Sequence, residues 1–229
     1  MEYAFPPRPV PTLPIAGSDL RFPVRRIFCI GRNFAEHAKE MGASVDRGNP
    51  VFFSKPADAV VADGGAVAYP PATRDLHHEV ELVAALGRDA DGVVAAEDAA
   101  ALVFGYAVGL DLTRRDLQSA AKAKGLPWDT GKGFDASAPV GALLPAADFG
   151  APGARRIALE VNGELRQQAT LDTMVFSVAE VLHELSKLYA LKAGDLVFMG
   201  TPAGVAALQR GDRFEARIDD LPPLCGLIA

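Results

Sequence analysis

The segment His77-His78-Glu79-Val80-Glu81-Leu82-Val83, running on through Ala84 and Ala85 to Leu86, constrains this chain more than any other. Apolar residues surround two glutamates spaced one residue apart, and alternate residues of a strand share a face. Glu79 and Glu81 therefore point the same way, with Cα atoms roughly 6–7 Å apart. Two carboxylates beside a core repel each other and resist desolvation unless a cation bridges them. On the wet face of an edge strand they carry no such demand. Asp111 tips the balance. It ends the apolar run Gly105–Leu110, where a strand hands over to a helix and a side chain can project into a cleft. Three carboxylates with no cysteine nearby are hard oxygen donors, suited to Mg²⁺ or Mn²⁺ rather than to zinc or copper.

The rest of the chain reads as strand-rich with a few short helices. Strands are expected at Arg26–Ile30, Val51–Phe53, Leu76–Leu86, Phe104–Leu110 and Leu196–Met199. A hairpin is expected over Leu159–Arg166 around Asn162-Gly163, and a half-exposed strand where Phe214, Ala216 and Ile218 alternate with charged residues. Capping boxes at Asn33/Glu36, Thr113/Asp116 and Ser177/Glu180 announce three helices, the first two ending near Gly42 and Gly125. The third carries Val178, Val181, Leu182, Leu185 and Leu188 on one face, to be packed on a sheet. Residues 1–23 hold six of the 17 prolines and should be irregular or edge strand. The expectation is an α+β, mostly β fold: a Pro-rich arm over 1–24 and one catalytic domain over 25–229.

Several classes fall away. The net charge is −6 at pH 7, so no basic excess exists to engage nucleic acid. At 49% hydrophobic and 23% charged residues, 229 residues make an ordinary globular core, not a disordered chain. Cys29 and Cys225 form neither a disulfide framework nor a zinc cluster, and both should behave as small buried hydrophobes. The uncharged run Ala99–Leu110 is too short for a membrane span, and no secretory signal is visible. A cytoplasmic protein is expected.

Three further constellations bear on chemistry. His37 and Glu40 stand at i, i+3 on one helix face, where a carboxylate can fix the imidazole tautomer and make it a base for water. The same spacing also occurs as an ordinary surface charge pair. Arg115 and Gln118 share a face of the helix beginning just after Asp111, where an Arg fork suits a substrate carboxylate. Lys132, flanked by Gly131 and Gly133, has little side-chain cover and could reach a ligand, although most lysines are merely solvated. Gly131-Lys132 is no P-loop, because Gly125 is one residue out of place and Gly133 replaces Ser or Thr. His183-Glu184 is no zincin, because Lys187 stands at the second His position.

These pieces occur in a specific order: Gly31-Arg32-Asn33, His37 with Glu40, Lys55-Pro56, Glu79 with Glu81, Asp111 through Gln118, Gly125 through Trp128, Lys132, and Gly200-Thr201-Pro202-Ala203-Gly204. From about Arg25 to the C-terminus the chain resembles the fumarylacetoacetate hydrolase family, above all its short acylpyruvate and fumarylpyruvate hydrolases. The resemblance implies a mixed β-sandwich roll, usually a homodimer, with a divalent metal on Glu79, Glu81 and Asp111. It implies that His37 and Glu40 activate water, that Lys132 lies near the metal, and that Arg115, Gln118 and Thr201 lie close to a small anionic 2,4-dioxo acid. One departure is Phe34, where many relatives carry Tyr. The implied reaction is C–C hydrolysis of fumarylpyruvate to fumarate and pyruvate in aromatic-acid breakdown. Oxaloacetate decarboxylation, general acylpyruvase activity, isomerisation or hydration of an oxo-diene acid, and metal binding without catalysis remain as alternatives.

Overall fold

The computed structural model describes every residue except Met1 and Asp63. A mixed sheet of eight strands forms its centre. Its order is Val51–Lys55, Arg26–Gly31, Asp195–Phe198, Val80–Leu86, Val103–Leu110, Ala138–Val140 and Val60–Ala62, with Leu144–Pro145 beside Val103–Leu110. A second sheet of five strands runs Glu164–Thr170, Arg156–Val161, Arg213–Ile218, Leu224–Ile228 and Gly65–Val67.

The alternation within Val80–Leu86 explains the layering. Leu82, Ala84 and Leu86 join Ile157, Leu159, Ala216 and Ile218 in the larger core, between the two sheets. Val83 and Ala85 face the other way, into a smaller core with Ile27, Cys29, Phe198 and Leu13. Glu81 shares their parity. The adjacent strand carries Phe104, Tyr106, Val108 and Leu110 on one parity, and Gly105, Ala107 and Gly109 on the other. At Gly109, paired with Glu81, a Cβ would meet Val83 Cγ2 at 2.6 Å and Phe198 Cε1 at 2.8 Å. The bare backbone there lets Val83 and Phe198 pack directly against the strand opposite Glu81.

The mostly-β expectation holds, and most strands and the Asn162-Gly163 hairpin lie where the sequence put them. Several details differ. The Leu76–Leu86 strand is broken at His78-Glu79: Leu76–His77 leaves to pair with Thr113–Arg114 and Ala207–Leu208. Asn33 caps no helix. The helix Ala35–Glu40 starts after Phe34, and the Asn33 amide instead donates to Phe176 O and Met199 O and accepts from Phe176 N–H. Thr113 is also no cap, because the next helix, Arg115–Ala123, starts two residues on. Only the Ser177/Glu180 box forms as read, and its helix Val178–Leu188 buries four of the five expected apolar residues while Leu188 stays exposed. Cys225 is exposed beside Glu215, where Cys29 is buried. Within the arm, Thr12–Ile15 and Ser18–Pro23 form a hairpin that places Leu13 and Phe22 in the smaller core.

Candidate active site

The strand break aims Glu79 at the site. Freed from the ladder, the Val80 N–H donates to Gln167 Oε1 at 3.1 Å, and the Asp111 N–H donates to the Glu79 carbonyl at 2.9 Å. The second contact ties the entry of one strand to the exit of its neighbour, bringing together carboxylates 32 positions apart in sequence. Ligand atoms of Glu79, Glu81 and Asp111 all lie within 4.8 Å of one another, and all three residues are buried.

Cations surround two of them. Lys132, 2% exposed, donates to Glu79 Oε2 at 2.7 Å, Asp111 Oδ2 at 2.6 Å and Thr113 Oγ1 at 2.7 Å. Arg115 donates to the other Glu79 oxygen, to Gln118 Oε1 at 2.6 Å and to His77 Nδ1 at 3.3 Å. Lys55, also buried, lies 2.8 Å from Asp111 Oδ1 and donates to the carbonyls of Leu112 and Lys132. Burial raises the Glu79 pKa, but Lys132 and Arg115 outweigh it and hold the carboxyl well below the usual range. Burial likewise opposes the Lys132 charge, and Asp111 with Glu79 overcomes it, leaving the ammonium harder to deprotonate than an ordinary lysine.

Glu81 is different. Among the described residues, its one hydrogen-bond partner is the Gly200 N–H, at 2.6 Å. Burial, then the facing Asp111 and Glu79 carboxylates, push its pKa well above the ordinary value. Asp111 Oδ1 is buried and aligned with no hydrogen-bond donor, its contact with Lys55 being one of charge alone. A repelled carboxylate and an orphaned carboxylate oxygen in an all-oxygen cluster fit a hard divalent cation. These residues can hold a metal ion.

The helix Ala35–Glu40 brings His37 to the same cleft. His37 Nδ1 lies 3.2 Å from Glu40 Oε2, and both Glu40 oxygens accept from the Gly204 N–H, at 3.0 and 3.2 Å. Gly204 has φ +97°, and a Cβ there would meet Arg166 O at 2.2 Å, so this loop conformation requires glycine. Gly200 closes the other end of the loop against Asn33. Thr201 Oγ1 accepts from Gln167 Nε2 at 2.8 Å, while Gln167 Oε1 lies 2.9 Å from His78 Nδ1. The cleft is thus lined at once by His37, Glu79, Glu81, Asp111, Arg115, Gln118, Lys132 and Thr201. Glu40 stands behind His37, outside the lining.

Sequence reasoning missed Gln167, Asn33 and Lys55 as positioning residues. Lys55, ending the apolar Val51–Lys55 strand and followed by Pro56, offered a signal: a lysine leaving a strand into a core needs an anion. Gln167 offered none, being one of two adjacent glutamines in a strand exposed on both sides of it.

A curled mixed sheet presenting a buried carboxylate triad, a lysine and a His–Glu pair to one cleft defines a site that can hold a metal ion. Residues 26–229 match the fumarylacetoacetate (FAA) hydrolase C-terminal family, and the chain belongs to that family. A fumarylpyruvate hydrolase from Pseudomonas aeruginosa, solved in complex with Mn²⁺ and pyruvate, is 47% identical and superposes with a TM-score of 0.95 over 100% of this chain and 99% of that one. Oxaloacetate tautomerase FAHD1, mitochondrial, of Rattus norvegicus is 45% identical over 197 residues, covering 85% of this chain and 87% of the relative. Oxaloacetate tautomerase YcgM of Escherichia coli is 41% identical over 204 residues, covering 89% of this chain and 92% of the relative. Among the described residues, no helix is long and apolar enough to cross a membrane.

Proposed function

We propose that the protein is a divalent-metal-dependent hydrolase that cleaves the C3–C4 bond of 2,4-dioxo acids, with fumarylpyruvate as preferred substrate and fumarate and pyruvate as products. The observation that carries this reading is the His37–Glu40 pair, fixed by Gly204 beside the carboxylate triad. A Mg²⁺ or Mn²⁺ ion on Glu79, Glu81 and Asp111 would supply Lewis acidity and an anchor for the substrate's carboxylate and 2-oxo group. With Nδ1–H turned to Glu40, His37 Nε2 is the basic atom and takes a proton from water. The resulting hydroxide adds to C4. The C3–C4 electron pair leaves on the pyruvate fragment as its enolate, and a proton returned to C3 completes pyruvate. The Lys132 ammonium stands beside the triad, where it offsets the negative charge that develops on this fragment. Arg115, Gln118 and Thr201 line the cleft and orient the substrate. The reading includes a homodimer, checked by light scattering, and a place in the cytoplasm.

Oxaloacetate tautomerisation is the second reading, favoured by the names of the two relatives at 41% and 45% identity. It moves a proton between C3 and the 2-oxygen and needs no water addition. Turnover of the purified protein with Mg²⁺ on fumarylpyruvate, acetylpyruvate and oxaloacetate separates the readings. Pyruvate release with the highest kcat/KM on fumarylpyruvate supports the first. Equal or better cleavage of acetylpyruvate makes the protein a general acylpyruvase. Keto–enol exchange or CO₂ loss from oxaloacetate faster than any hydrolysis overturns the hydrolase reading.

A further inference from the structure

The cleft has a second cationic end. Arg32 and Lys122 both line it, both are half-buried, and among the described residues neither side chain makes a hydrogen bond or ion pair. This is unusual inside a cleft, because partly desolvated cations are normally paired. They are also neighbours: after burial, the charge of Arg32 is the largest influence lowering the Lys122 pKa. Arg115, Gln118 and Lys122 fall at i, i+3 and i+7 along the helix Arg115–Ala123, on one face. Lys122 therefore stands two turns, roughly 10 Å, from the residue that grips Glu79. Two other arginines, Arg25 and Arg26, are committed elsewhere. Both bind the buried Asp195, at 3.0 Å.

Between the two cationic ends lies an aromatic wall. Trp128 and Phe53 line the cleft with ring centroids 5.8 Å apart. Lys122 Nζ lies 5.7 Å from the Trp128 ring, and Lys132 Nζ lies 4.9 Å from the Phe53 ring. Gly31 lies against the indole, where even a Cβ would make only ordinary contact with Trp128 Cζ3, at 3.7 Å. Arg32 itself has φ +62°, a left-handed conformation that a non-glycine residue adopts at a cost and that here turns the chain at the cleft.

The geometry points to Arg32 and Lys122 as the receptor for a second carboxylate, at the far end of a flat, unsaturated acyl chain lying along Trp128. This rests on the hydrolase reading and adds specificity residues to it. A four-carbon oxo diacid anchored at the triad is too short for its second carboxylate to reach a pair roughly 10 Å away. A seven-carbon one, with a conjugated middle, extends toward the pair. An acidic protein, with net charge −6, gains its hold on a dianion locally through such a pair.

The test is the ratio of kcat/KM for fumarylpyruvate to that for acetylpyruvate, which lacks the second carboxylate. A ratio cancels any general loss of folded or metal-loaded enzyme. Arg32→Gln and Lys122→Gln should each lower it on the order of tenfold, mostly through KM for fumarylpyruvate, as loss of a charge-assisted hydrogen bond does. Lys122→Arg should restore most of it, and raising salt should shrink the wild-type ratio. A ratio within about twofold of wild type in the Arg32→Gln/Lys122→Gln double variant overturns the assignment. If wild type binds fumarylpyruvate without cleaving it, the hydrolase reading fails. Calorimetry of fumarylpyruvate against wild type and double variant then decides on the pair, with equal affinities overturning it.

Discussion

The two ends of the cleft solve opposite problems with the same kinds of charge. At the inner end every cation is committed: Lys132 has three side-chain partners, and Arg115 joins Glu79, Gln118 and His77. What is left uncompensated there is negative, on Glu81, while Asp111 Oδ1 faces the Lys55 charge without a hydrogen bond. At the rim the surplus is positive, on Arg32 and Lys122, which have no such partners among the described residues. A buried site holds its own charges rigidly, because an unpaired one costs several kcal/mol, and leaves exposed only the sign that its ligand neutralises. The inner end thus asks for a cation and the rim for an anion.

The contrast breaks most severely at Lys132. Lys132→Met leaves Glu79 and Asp111 facing each other without it, so turnover should be lost. The metal-free protein should lose about 3–5 kcal/mol in urea unfolding, the usual cost of removing one partner from a buried ion pair. Glu81→Gln sharpens the contrast, since it removes the repelled charge yet keeps an acceptor for the Gly200 N–H. Metal affinity by calorimetry should fall by more than about 100-fold, beyond the effect of losing an outer hydrogen-bond partner, while unfolding of the metal-free protein barely shifts. Removing the metal with a chelator should abolish turnover of the unsubstituted enzyme for the same reason.

Gly204→Ala acts on the support of the base. Its Cβ clashes with Arg166 O, so the loop must move and take its N–H from Glu40. We expect kcat to fall on the order of 10–100-fold with metal affinity retained, the scale of a misplaced catalytic group. The smallest effect lies outside the cleft. Ser177→Ala should cost about 1 kcal/mol of stability and leave kcat alone, because it removes a helix cap. Hydrogen bonds from Ser177, with burial opposing, lower the Glu180 pKa below its ordinary 4.5. The backbone N–H share survives in Ser177→Ala; the hydroxyl's share is present above pH 4.5 and lost as pH falls through the lowered value, so the cost of Ser177→Ala should shrink slightly in acid.

The strands were legible because alternation and apolar runs are local: Val103–Leu110 and Arg213–Ile218 could be placed from their own residues. The carboxylate triad was legible for a related reason, since charges inside such runs demand a partner. Caps were less so. Asn33 and Thr113 have the right residue three positions on, but a buried side chain bonds whatever the tertiary structure brings closest. For Asn33 that is the Phe176 and Met199 backbone, and for Thr113 it is Lys132. The break at His78-Glu79 was invisible for the same reason, because Gln167, 87 residues from Val80, supplies the acceptor that makes it tolerable. The rim pair could not be singled out from sequence, where every surface Arg and Lys looks alike until Asp195 claims Arg25 and Arg26.

The central claim is that the inner end binds the metal while the His37–Glu40 pair, separately, makes the reaction a hydrolysis. Replacing His37 by Gln and measuring both kcat on fumarylpyruvate and Mn²⁺ affinity tests this directly. The account predicts a fall in kcat of roughly 10²–10⁴-fold, the usual share of general acid–base catalysis, with metal affinity unchanged. A near-wild-type kcat, or a loss of activity that tracks a loss of Mn²⁺ binding, would contradict it.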